Sequence, residues 1–183
     1  MGEPYFAKVH HLCGQLRRPS PPVDWLRVTE AMIRRAADED LAALAQLRRA
    51  STAEQDGERP DPGFEDRFAA WFARESSRRI TWLAETSACL AGAMSLAVFE
   101  RMPRPGRAPG RWGYLANAFV LAAYRNQGIG GQLLGAVLSY ADEHGFARVV
   151  LSPTERAIPF YQRAGFRPAN ELLLWTPRKT TAS

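Results

Sequence analysis

The sequence predicts an α/β fold, on three observations. Segments with the apolar pattern of strands alternate along the chain with segments of helical period. One strand-like run, Tyr114 to Leu121, enters a glycine turn and then a helix-like stretch from Gly131 to His144, a succession typical of strand–turn–helix units. With 46% apolar and 23% charged residues in 183, one domain can bury a core without staples.

The elements follow in order. Residues 1–27 contain Arg17-Arg18-Pro19-Ser20-Pro21-Pro22 and no sustained period, which reads as an irregular extension before a domain over 28–177 and a tail over 178–183. Ala31 to Ala36 reads as a first strand. Asp38 stands as the N-cap of a helix that turns Leu41, Leu44, Ala45 and Leu47 inward and ends near Ser51. A polar connector from Thr52 to Gly63 sets Glu54, Asp56, Glu58 and Asp61 against Arg59. Phe64, Phe68, Trp71 and Phe72 recur at i, i+4, i+7 and i+8, which makes a second, amphipathic helix. Ile80 to Glu85 and Leu90 to Phe99 form an antiparallel pair around Thr86-Ser87-Ala88. A Pro/Gly-rich loop with Arg101, Arg104, Arg107 and Arg111 precedes the fourth strand, Tyr114 to Leu121. Ile129, Leu133, Val137 and Ala141 make one stripe of the next helix, ended by Gly145. Arg148 to Leu151 is a fifth strand. Thr154 caps a helix from about Glu155 to Ala164 that Gly165 closes. Phe166 to Pro168 and Leu172 to Trp175 form a last pair of strands.

Composition narrows the function classes. No apolar run approaches the ~18 residues of a membrane span, and the N-terminus lacks a signal-peptide core, so a cytoplasmic protein with no membrane partner is expected. Cys13 and Cys89 lie in unrelated segments and are expected as reduced thiols. His10-His11-Leu12-Cys13 supplies too few ligands at unsuitable spacing, so no metal is expected. The net charge of +5 comes almost wholly from scattered arginines without interleaved aromatics, which does not point to nucleic acid. A homodimer is left open.

The segment Arg125-Asn126-Gln127-Gly128-Ile129-Gly130 carries the most chemistry. The first amides of a helix lack intrahelical partners and sit at its positive end, so such a turn binds phosphate oxygens. Gly130-Gly131-Gln132 lacks the Gly-Lys-Ser/Thr ending of a Walker loop, and Gly128, Gly130 and Gly131 do not make the dinucleotide fingerprint. What remains is Arg-x-x-Gly-x-Gly, which resembles the acyl-CoA pyrophosphate loop of the GCN5-related N-acetyltransferase (GNAT) family. Downstream, Pro159 to Phe166, with Tyr161 ahead of Gly165-Phe166, resembles that family's second hallmark.

The resemblance covers roughly 28–177 and implies the acyl-CoA N-acyltransferase fold. That is a mixed, mostly antiparallel central sheet of six to seven strands with flanking helices, the fourth and fifth strands splayed. It implies acetyl-CoA as co-substrate, its pantetheine arm on the backbone near Phe119, Val120 and Leu121. The pyrophosphate would lie on Arg125, Asn126, Gln127, Gly128, Ile129, Gly130 and Gly131, with Thr154 and Tyr161 also at the cofactor.

Acetyl transfer to an amine needs a fixed thioester, a neutral amine, donors for the developing oxyanion and a proton for the leaving thiolate. Tyr161 is the candidate acid, since a phenol of pKa ~10 stays protonated at neutral pH. For the base the candidates are Glu85, Glu100 and Asn117. Asn117 shares a strand face with Phe119 and Leu121 by alternation and holds a water rather than a proton. The acidic connector from Glu54 to Asp61 borders the acceptor mouth in this fold and draws cationic amines. The expected function is therefore N-acetyl transfer to a small cationic primary amine. A non-catalytic acyl-CoA-binding module, or transfer to a protein N-terminus or aminoacyl-tRNA, is the alternative.

Overall fold

Strict alternation along one strand shows how the layers are arranged. In β2 (Arg79–Glu85) the ring of Trp82 lies 5.5 Å from Tyr140 of the helix Ile129–Glu143, whereas the next residue, Leu83, clusters with Leu44 and Leu47 of the helix Leu41–Asp56. Successive strand residues point to opposite faces, so those two helices cover opposite sides of the sheet. The computed structural model describes residues 31–177. The extension expected over 1–27, with Cys13 and the His10–Cys13 cluster, and the tail over 178–183 lie outside them.

The sheet has five strands in the order β1-β2-β3-β4-β5, with β1 Met32–Arg35, β3 Leu90–Glu100, β4 Arg111–Val120 and β5 Phe146–Val150. The first four pair antiparallel and β5 pairs parallel to β4. A parallel neighbour requires a crossover connection, which α3 (Ile129–Glu143) supplies. The other helices are α1 (Leu41–Asp56), α2 (Phe64–Glu75), packed beside α1, and the short α4 (Ile158–Arg163). The chain divides into two compact units, one ending at Ser152 and the other beginning at Pro153.

Covered on both faces, β3 is buried continuously from Leu90 to Ala97. Leu83, Leu96, Leu133, Leu134 and Val137 are the largest fully buried side chains, each contributing roughly 1.5–3 kcal/mol of apolar burial. The hairpin between β2 and β3 is closed by Thr86, whose hydroxyl accepts from the amides of Ala88 and Cys89 while its own amide donates to the Cys89 carbonyl. Asp40, not Asp38, anchors the start of α1. Its buried carboxylate accepts from the Ala37 amide at 2.9 Å and from both terminal nitrogens of Arg34, whose Nε goes to Glu85 at 2.6 Å. A carboxylate is tolerated there because every oxygen is hydrogen-bonded.

Three expectations are corrected. The last strand pair does not form: Phe166 to Pro168 is too short and ends in a residue without an N–H, and Leu173, Leu174 and Trp175 stand exposed in irregular chain. Among the described residues the sheet therefore has five strands. Helix α1 runs past Ser51 to Asp56, ending at Gly57 with φ 82°, so Glu54 and Asp56 belong to the helix and not to a connector. Cys89 is disulfide-bonded and not a free thiol.

Gly92 permits the closest backbone approach in the sheet. A Cβ there would stand 2.7 Å from the Phe119 carbonyl oxygen and 3.1 Å from Val120 Cγ2. Gly92→Ala is expected to cost about 1–3 kcal/mol in urea unfolding, because the obstructing atom is backbone held in the ladder. An unchanged midpoint would show that β4 gives way freely at this point.

Candidate functional site

The site begins where β4 stops being a regular strand. Between the register pairs Ser95↔Ala116 and Ala93↔Phe119, β3 advances by two residues and β4 by three. The extra residue makes a bulge, and Asn117 takes φ 52°, a left-handed conformation that asparagine accepts more readily than most residues. On its other edge β4 pairs with β5 only between Arg111 and Tyr114. Leu115 to Val120 continue without a β5 partner, because β5 ends at Val150.

Beyond the strand, a 3-10 turn at Ala122–Tyr124 leads into the glycine loop. Asn126 (φ 61°) and Gly128 (φ 83°) turn the chain so that Gly128 caps α3. The first bond of the helix runs from the Gln132 amide to the Gly128 carbonyl at 3.1 Å, which leaves the amides of Ile129, Gly130 and Gly131 without intrahelical acceptors. Two glycines of the loop have open space beside them. A Cβ on Gly131 would meet nothing within 4 Å, and one on Gly128 only the Gln132 side chain at 3.9 Å. Arg125 donates from Nε to the Val120 carbonyl at 2.9 Å, and its terminal nitrogens pair with Glu54 of α1 at 2.6 Å. Its guanidinium thus ties the loop to the strand end and to α1. Gln127 bonds back to the Ala123 carbonyl at 3.1 Å.

A cavity of about 480 Å³ opens beside the bulge. Asn117 and Phe119 form its strand wall, Phe64, Phe68, Trp71 and Phe72 of α2 an aromatic wall, and α1 contributes Arg48 and Ser51. The four aromatics are only half-buried and their neighbouring rings lie 5.8–6.2 Å apart, so the inner face of α2 borders the cavity while Phe68 and Phe72 also pack against the core cluster. Thr81 and Ser95 bond to each other at 2.8 Å on the sheet floor. Arg48 Nη1 approaches the Asn117 carboxamide oxygen at 3.5 Å. Asp61 is the one acid of the former connector that lines the cavity, and it is taken up by Arg67.

The other candidates lie elsewhere. Glu85 lines a separate cavity of about 180 Å³ with Arg34 and Asp40, and its carboxylate is paired to Arg34. The structure does not bring it to Asn117. Glu100 is exposed at the far end of β3, opposite Arg111. In the second unit, Thr154 sits at the N-cap position of a 3-10 turn, Glu155–Ala157, and its side chain makes no capping bond, which corrects the expected cap. Tyr161 is 8% exposed, its ring 4.9 Å from Phe160 and 5.7 Å from Phe166. Burial disfavours the phenolate and raises the Tyr161 pKa above its usual value.

Sequence reading missed Arg48, Ser51, Thr81 and Ser95. A signal for the first two existed: Leu44, Arg48 and Ser51 stand at i, i+4 and i+7, so a cation occupies the inward stripe of α1. Among so many arginines, this one did not stand out.

A sequence profile of the acetyltransferase (GNAT) family matches residues 41–166. The chain is 31% identical over 78 residues to a glucosamine 6-phosphate N-acetyltransferase of Trypanosoma brucei brucei, covering 43% of this chain and 51% of that protein. It spans about half the length of the curated relatives it matches. Among solved structures it is similar to a GCN5-related N-acetyltransferase from Ralstonia eutropha, with TM-score 0.61 and 25% identity over 80% of this chain and 98% of that one. It also shares the fold of a predicted acetyltransferase with acetyl-CoA from Clostridium acetobutylicum, with TM-score 0.65 and 21% identity over 80% and 96% of the two chains.

The burial of Tyr161 is open to a direct test. Its raised pKa contributes stability that is fully present below the unfolded phenol value of about 10 and is lost as pH rises through the folded value. The difference between ultraviolet titrations of the parent and Tyr161→Phe should show this phenol ionising above about pH 10. Ionisation at or below that pH would mean that the ring is solvated.

Proposed function

This chain belongs to the acetyltransferase (GNAT) family, and we propose that it transfers an acetyl group from acetyl-CoA to the primary amine of a small molecule. The row of unpartnered α3 amides beyond the strand end that β5 leaves unpaired carries this reading. The open space in front of Gly128 and Gly131 suits a pyrophosphate, to whose oxygens the amides of Ile129, Gly130 and Gly131 would donate hydrogen bonds. In this reading Arg125 acts through the loop, holding it against Val120 and Glu54. The edge of β4 from Phe119 to Leu121 is the place for the pantetheine arm, and Thr154 keeps the cofactor contact that the resemblance assigns to it. The co-substrate supplies an activated acyl thioester.

The remaining requirements fall to residues of this chain. The backbone at the bulge offers N–H groups to the charge that develops on the carbonyl oxygen. Asn117, in the cavity wall, holds the water that takes the proton of the amine. Glu85 is engaged by Arg34 and has no part in this reading. Tyr161 returns a proton to the thiolate, an assignment that rests on the family resemblance together with the neutral state its burial enforces. A cavity of about 480 Å³ lies in the size range of small-molecule sites.

Acetyl-CoA should raise the melting temperature, whereas ATP and NAD should not, and free CoA thiol should appear with members of a panel of amines. A shift without thiol release from any amine would favour a non-catalytic acyl-CoA-binding module. No shift at millimolar acetyl-CoA would remove the loop assignment. Tyr161→Phe should lower kcat by about 10²- to 10⁴-fold with acetyl-CoA affinity within a few-fold of the parent. Retention of more than about half the parent kcat, with chemistry limiting turnover, would make Tyr161 a packing residue.

A further inference from the structure

The charges around the large cavity do not cancel. Among the described residues Asp61 is the cavity's one lining acid, and both of its oxygens accept from Arg67. Arg48 is different. Its side chain has one hydrogen bond, at 3.5 Å, to the neutral Asn117 carboxamide, and no carboxylate partner among the described residues. Its neighbour Arg49, by contrast, is held by Glu65 at 2.6 Å, and Glu54, one turn further along α1, is occupied by Arg125. The acids that would attract a cation are thus consumed in pairs, and one guanidinium faces the cavity with its donors largely unspent. Five N–H donors in a fixed fork match the paired oxygens of a carboxylate or phosphate.

The rest of the lining constrains the ligand further. Phe64, Phe68, Trp71 and Phe72 present half-buried ring surface opposite the strand wall. Apolar surface of this kind gains from covering by an apolar or aromatic body. We infer that the acceptor of this site is a primary amine that also carries an anionic group, a carboxylate or a phosphate, bound by Arg48, with an apolar body lying along the α2 aromatics. This deepens the acetyl-transfer reading and rests on it for the identity of the amine as acceptor. It also replaces a purely cationic acceptor, for which the cavity keeps no unpaired acid among the described residues.

The test uses matched amines and two separate readouts. Tyramine is compared with tyrosine, and ethanolamine with phosphoethanolamine, so that each pair differs in the anion and the two pairs separate carboxylate from phosphate. Equilibrium binding in the presence of CoA is measured by calorimetry on the parent, Arg48→Ala and Arg48→Lys. At least one member with the anionic group should bind the parent about 10- to 100-fold more tightly than its analogue without it. Arg48→Ala should bring that ratio close to one and Arg48→Lys should keep part of it. A ratio near one for both pairs in the parent, or one that survives Arg48→Ala, overturns the inference. An unchanged acetyl-CoA thermal shift verifies that each variant is folded. Thiol release is scored independently: its absence with every amine overturns the acetyl-transfer reading, while binding still decides the role of Arg48.

Discussion

The extra residue in β4 is the constraint on which the rest of the site depends. Ser95 and Ala93 face the cavity from β3, and their partners Ala116 and Phe119 must face it too, although three positions, an odd number, separate them. Strict alternation would put one of the two on the opposite face. The bulge absorbs the odd residue by giving Asn117 a left-handed backbone, so the strand regains its register with β3 and delivers Leu121 to the core, with its amide on the Ala91 carbonyl. A β4 that keeps β3 through this irregularity has already lost β5. The open edge, the cavity wall and the entry into the glycine loop thus share one local cause.

Electrostatics then fixes the pieces in place. Arg125 with Glu54, Arg49 with Glu65 and Arg34 with Asp40 and Glu85 each tie elements distant in sequence. The Arg49 guanidinium holds the Glu65 carboxyl down to about 2, so that pair persists through any physiological pH. Exposed pairs of this sort add little to stability. What they do here is positional: α1 is anchored at its start, its middle and its last turn, which aims the intervening Arg48 at the cavity.

Strong periodicity was legible in the sequence, and balance between partners was not. The stripe Ile129, Leu133, Val137 and Ala141 is buried as its spacing requires, and Phe64, Phe68, Trp71 and Phe72 share a face. The glycine loop was readable because positive φ and a helix start restrict which residues fit. The end of α1 was misplaced because Thr52 to Asp56 are polar, and polarity alone does not end a helix until Gly57 does. The acidic connector was misread because sequence displays charges singly, while Asp61 and Glu54 act only as halves of pairs. The bulge at Asn117 was invisible as geometry, since an asparagine in a strand pattern does not announce its φ. The last strands failed since Leu172 to Trp175 form an apolar run without alternation, and a strand also needs a neighbour to pair with.

None of the residues of α2 is buried, although this helix supplies most of the cavity's apolar wall. The interior that holds the sheet together is drawn instead from α1, α3 and the strands. Phe68 and Phe72 nevertheless pack against the core cluster of Leu44, Leu47 and Leu83, so the aromatic wall serves chamber and scaffold together. For the acceptor chamber that we propose, Phe64 and Trp71, which line the cavity outside that cluster, are the positions of this twelve-residue helix where a redesign would start.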